Sequence, residues 1–216
     1  VHYWLTPAEN FSGDVIAATR SSTGRLYALL ADATGHGLTA AISTLPVLTL
    51  FYRMATADTP LQSLVSEINQ QLRESMPVGR FVGATFVCVD TAKHQGAIWI
   101  GGMPSALLLD GCGSLIREFA SQELPLGILN STEINAEPAQ FSWKESCQLA
   151  LCSDGLLEAE NSAGEPFGQD RLLAAIAGLP VGNRRDQIQT AVLSHIGDGS
   201  ALDDISLLLL SCPGSR

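Results

Sequence analysis

The sequence predicts an α+β fold of two antiparallel sheets flanked by helix pairs, on three observations. Apolar runs of strand length follow one another in meanders, separated by turn residues. Stretches with helical periodicity come in adjacent pairs rather than alternating with strands, which argues against a βαβ order. The 216 residues are 46% hydrophobic and 16% charged, enough to bury a sizeable core and too apolar for a disordered chain.

Segments 2–5, 14–19 and 26–31 read as strands, with Ser21-Ser22-Thr23-Gly24 as a hairpin turn between the last two. Segment 38–57 reads as a helix with Leu38, Ile42, Leu45, Thr49 and Tyr52 on one face, and Pro46 predicts a kink or a split within it. Asp58-Thr59-Pro60 offers a cap and a first-turn proline to a second helix, 61–76. That helix gathers Leu61, Leu64, Val65, Ile68 and Leu72 on one face and ends at Pro77-Val78-Gly79. Strands are then expected at 84–90, 96–101, 106–110, 115–119, 141–143 and 148–152. A loop from Asp154, with a turn at Asn161-Ser162-Ala163-Gly164, leads to helices at 169–177 and 184–195 and a last strand at 205–211. The apolar helix faces are read as core, with part of the first two available to a partner or a second copy, so a homodimer is among the expectations.

A formal net charge of −10 offers no basic stripe to a phosphate backbone, so neither nucleic acid nor an anionic membrane surface is an expected partner. No uninterrupted apolar stretch approaches the roughly 20 residues that span a bilayer, and segment 1–5 has no signal-peptide pattern. The five cysteines show no CxxC spacing, and four lie in or beside apolar runs, as expected of free thiols in the reducing cytoplasm.

The chemistry concentrates where strand-like runs meet acidic turns. Asp32-Ala33-Thr34-Gly35-His36-Gly37 follows the third strand, and Ser153-Asp154-Gly155 follows the run ending at Cys152. Asp203-Asp204 precedes the last strand, and Gly13-Asp14 opens the second. Carboxylates without clustered His or Cys suit hard cations such as Mg2+ and Mn2+. Two such ions can activate water and polarise a phosphoryl group for in-line attack. The four histidines form no zinc spacing, and no Ser or Cys has a partner that would mark it as a nucleophile.

These motifs carry a resemblance. The chain resembles the PPM-type, metal-dependent protein serine/threonine phosphatases, in the bacterial subclass typified by SpoIIE and RsbU. The D-[VA]-S-G-H-G pattern stands as Asp32 to Gly37, with Thr34 in place of Ser. The T-D-G-[VL]-x-E-A pattern stands as Ser153-Asp154-Gly155-Leu156-Leu157-Glu158-Ala159, followed by Gly164-Glu165-Pro166-Phe167-Gly168. Asp203-Asp204-Ile205-Ser206 matches the terminal D-D-[IM]-[ST], and Leu124-Pro125-Leu126-Gly127 matches an L-P-L-G turn. The likeness runs from about Trp4 to the last strand.

The resemblance implies an αββα sandwich, read as one domain over 1–216 and as the C-terminal part of a longer signalling protein with a receiver or sensor domain before it. It implies two Mn2+ or Mg2+ ions, and hydrolysis of phosphoserine or phosphothreonine by water activated between them. Asp32 and Asp154 would be the catalytic aspartates. Asp32 would bridge both metals, the Ala33 carbonyl would add a ligand, and Asp14, Asp154 and Asp203 would complete the set. Asp204 either joins them or supports them from behind. The substrate class implied is a phosphorylated anti-sigma-factor antagonist. Two departures stand out: Met103 occupies a place where relatives often have histidine, and no arginine before Asp14 matches the phosphate-binding arginine of eukaryotic relatives. His36 is open to two roles, general acid or support of the turn, and Thr34 is read as a helix cap. Glu158 and Glu165 are read as loop hydrogen-bonding residues. A low-turnover binding module with the same fold, and a hydrolase of small phosphate esters, are the rival readings.

Overall fold

In the computed structural model, which describes residues 1–35, 37–77 and 79–214, two five-stranded sheets face each other. One runs in the order β1 (His2–Thr6), β10 (Ile205–Cys212), β9 (Cys147–Cys152), β6 (Ala106–Asp110), β7 (Leu115–Phe119). The other runs β2 (Asp14–Arg20), β3 (Leu26–Ala33), β4 (Val82–Asp90), β5 (Gln95–Gly101), β8 (Ala139–Ser142). Every pairing between these strands is antiparallel. Helices α1 (Gly37–Thr56) and α2 (Leu61–Ser75) cover the second sheet. The one-turn α3 (Asp154–Leu157), α4 (Gly168–Ile176) and α5 (Arg184–Ile196) cover the first.

The period of two along each strand sorts side chains into three apolar layers. On β3, Tyr27, Leu29, Ala31 and Ala33 pack towards α1 and α2, while Ala28 and Leu30 enter the space between the sheets. On β10, Leu208 and Leu210 fill that same space, and Leu207 and Leu209 pack towards α4 and α5. Both faces of the central strands are covered, so they read as continuous apolar runs rather than as alternation. The αββα sandwich implied by the resemblance is the observed architecture.

Several local expectations change. α1 runs unbroken through Pro46. The carbonyl that Pro46 leaves without a donor belongs to Ile42, an exposed residue where water can take the donor's place. The face of α1 carrying Leu38, Ile42, Leu45, Thr49 and Tyr52 is exposed, and the buried face is Ala40, Thr44, Val47, Leu50, Phe51 and Ala55. Composition alone makes α1 long and apolar enough to cross a bilayer (mean hydropathy 1.3), but that buried face ties it to the second sheet. Asp58 does not cap α2: its carboxylate accepts from Arg25 Nε at 2.9 Å and from Thr23 Oγ1 at 2.8 Å. The segment after β9 begins with the helical turn α3 rather than a loop. The expected roles of His36, and the part of the α2 stop at Val78, lie outside the described residues.

Candidate metal centre

Four chain segments deliver carboxylates to one end of the sandwich. Asp14 opens β2 directly opposite Asp32 on β3, so the second sheet contributes two. The first sheet contributes Asp154, just after β9, and Asp203, just before β10. Ser153 locks those two ends together: its Oγ donates to the Asp204 carbonyl at 3.1 Å and accepts from Ser206 N at 2.9 Å. Gly155 permits the approach, because a Cβ there would lie 2.2 Å from the Asp204 carbonyl oxygen. Asp32, Ala33, Asp154 and Asp203 line a cleft of about 250 Å3, together with Thr34, Gly35 and Pro125 of the Leu-Pro-Leu-Gly turn. Asp14 lies behind them, only 6% exposed.

The cluster is electrostatically unfavourable by itself. Burial, followed by the charges of Asp14, Asp154, Asp203 and Asp204, pushes the Asp32 carboxyl up to about 8. Burial likewise raises Asp14 to about 7, with Asp204 and Asp154 adding to the rise and the hydroxyls of Ser206 and Ser153 opposing it. Asp154 is raised by burial and by the charge of Asp203, against the Gly155 N–H that its own Oδ1 accepts at 2.8 Å. Asp14 Oδ2 is buried and makes no hydrogen bond, and the neighbouring Ser206 Oγ is buried and unpaired as well. A buried carboxylate oxygen with no donor is costly, and a cation removes the cost.

That orphaned oxygen and the all-oxygen donor set fit a hard divalent cation. Among the described residues no three carboxylate, imidazole or thiol groups close into a ready-made cage. An ion that keeps several waters needs no such convergence, which is the habit of Mg2+.

The remaining motif residues have distinct tasks. Asp204 turns its oxygens away from the cleft's mouth: Oδ1 accepts from Ala8 N at 2.8 Å and Oδ2 from Gly13 N at 2.7 Å. It thereby fixes loop 7–13, which leads into Asp14. Thr34 does not cap α1. Its Oγ1 donates to the Phe81 carbonyl at 2.9 Å and accepts from Phe81 N at 3.0 Å, continuing the β3–β4 pairing beyond Ala33. Glu165 accepts from Asn161 Nδ2 at 3.0 Å, as a loop residue. Met103 is buried in the layer between the sheets, so its place belongs to packing.

Arg80 escaped the sequence reading. Its guanidinium donates to the Thr34 carbonyl at 2.6 Å and lies against Gly35, where a Cβ would come within 2.5 Å of it and where a φ of +93° favours glycine. No spacing rule links the glycine-rich turn to the segment before β4, so the sequence carries no signal for this contact.

A family model described as Stage II sporulation protein E (SpoIIE) matches residues 22–213. The phosphoserine phosphatase RsbP of Bacillus subtilis (strain 168) is 23% identical over 159 residues, which is 72% of this chain. The chain spans only 39% of the length of RsbP. The SiaA-PP2C domain of Pseudomonas aeruginosa superposes with a TM-score of 0.81 at 19% identity, covering 99% of this chain and 84% of that one. RsbX in complex with magnesium superposes with a TM-score of 0.70 at 14% identity, covering 96% and 92%.

Proposed function

The chain belongs to the SpoIIE family of PP2C-type phosphatase domains, and from that premise we propose that it hydrolyses phosphoserine or phosphothreonine on a signalling protein in a divalent-metal-dependent reaction. The observation that carries the proposal is the meeting of Asp14 and Asp32 from one sheet with Asp154 and Asp203 from the other, around a buried carboxylate oxygen without a donor. The magnesium complex of RsbX supports a divalent ion in such a fold. When bound, two Mn2+ or Mg2+ ions supply activated water and neutralise charge on the phosphoryl group. Asp32, central to the cluster, would hold them, together with Asp14, Asp154, Asp203 and the Ala33 carbonyl. Asp204 holds loop 7–13, and Arg80 with Thr34 fixes the turn after β3.

Asp154 and Asp203 are exposed at the rim, so a phosphoserine carried on a protein surface can reach the cleft. This supports a phosphoprotein over a small ester, and the name of RsbP, a phosphoserine phosphatase, supports phosphoserine as the group hydrolysed. A phosphorylated anti-sigma-factor antagonist, a receiver or sensor domain elsewhere in the intact protein and a cytoplasmic location complete the reading.

Phosphate release from a phosphoserine protein, with Mn2+ and then with EDTA, tests it. Release that needs Mn2+ and stops with EDTA is expected. Mn2+ binding by calorimetry without release would favour the low-turnover binding module, and neither binding nor release would remove the metal centre as well.

A further inference from the structure

A second cavity, of about 330 Å3, adjoins the metal cleft and shares Gly35 and Asp203 with it. Its apolar walls are Phe11 and Leu202, which are 50% and 81% exposed. Both are large apolar side chains facing solvent, and both line this one hollow beside the cleft.

Both walls are tied to the aspartates. Leu202 directly precedes Asp203 in the chain. Phe11 sits on loop 7–13, which Asp204 clamps at Ala8 N and Gly13 N. The distance from the apolar walls to the reacting phosphate is therefore set by the residues that set the metal site. The polar part of the lining includes the carboxylates of Glu9, Asp203 and Asp204.

We infer that the cavity between Phe11 and Leu202 receives an apolar side chain close to the phosphoserine of the protein substrate. The inference rests on the phosphatase reading above and adds a sequence preference to it. A free phosphate ester has nothing to place there. A protein segment laid across the cleft does, and burying a leucine-sized group between the two walls adds affinity that a glycine cannot supply.

The test uses two phosphoserine peptides, identical except that one is flanked by leucines and the other by glycines, with p-nitrophenyl phosphate as a reference and Mn2+ throughout. The expected kcat/KM ratio is about tenfold in favour of leucine, equivalent to about 1.4 kcal/mol. In F11S/L202S the ratio falls to about one. Each protein's own p-nitrophenyl phosphate rate separates loss of the preference from loss of fold or metal. A ratio near one in the native chain, or an unchanged ratio in the double variant, overturns the subsite while the phosphatase reading stands. No turnover of any of the three compounds overturns the phosphatase reading, and the subsite with it.

Discussion

Asp32 illustrates how a residue can be kept for function against stability. Its carboxyl is raised to about 8 by burial and by four neighbouring aspartates, so in the metal-free protein it is a source of strain. Asp32→Asn should abolish Mn2+-dependent turnover. It should also raise the metal-free melting temperature, by about 2–4 °C for each kcal/mol of repulsion relieved. Lower stability of the metal-free variant would contradict this account of the cluster. The same shifts set a pH dependence. Asp14 and Asp32 ionise near 3.8, the ordinary aspartate value, in the unfolded chain but at about 7 and about 8 in the fold. Between those values the native state binds more protons than the unfolded one. The stability of the metal-free protein therefore falls as pH rises from about 4 to 8. Metal binding at pH 7 should release protons, measurable by calorimetry in buffers of different ionisation enthalpy. At this scale the sequence was legible where an aspartate follows an apolar run into a glycine turn. It was not legible where the partner is distant backbone: Asp204 serves Ala8 and Gly13, and Thr34 serves Phe81.

At the scale of elements, the boundaries of most strands and helices follow from apolar periodicity, and α1 shows where periodicity misleads. The helix carries two apolar stripes. The bulkier one, Leu38, Ile42, Leu45 and Tyr52, faces solvent. The buried stripe includes Ala40, Thr44 and Ala55, because the helix lies close against the sheet. Ala40 packs so near Gly13 that a Cβ on the glycine would come within 3.0 Å of it. Hydrophobicity ranks the stripes one way and steric fit ranks them the other, and only the packed structure decides. Phe51→Ala, in the buried stripe, should cost about 3–5 kcal/mol in urea unfolding. Leu45→Ser, in the exposed stripe, should stay within about 0.5 kcal/mol. Comparable losses from the two would mean that the exposed stripe is covered in the protein as it exists in solution.

For the whole molecule, the candidate centre is also a joint between layers. Apolar side chains between the sheets hold them face to face, but the end that carries the aspartates sets like charges against one another across the gap. Asp14 and Asp32 belong to one sheet, Asp154 and Asp203 to the ends of strands in the other. Cations there would turn a repulsive seam into an attractive one, so metal should stabilise the fold and not only the reaction. At free Mn2+ of 100 times Kd the gain is about 2.7 kcal/mol, and for a chain of this length that is a rise of about 5–10 °C in melting temperature. EDTA should reverse it. The joint can be tested separately from simple binding by removing one carboxylate from each side. Asp14→Asn weakens the second sheet's hold and Asp154→Asn the first's, and each alone should shrink the Mn2+-induced shift. If the shift survives intact in either variant, the ions are held by one sheet alone, and the bridge between the sheets is wrong even if the domain still binds metal.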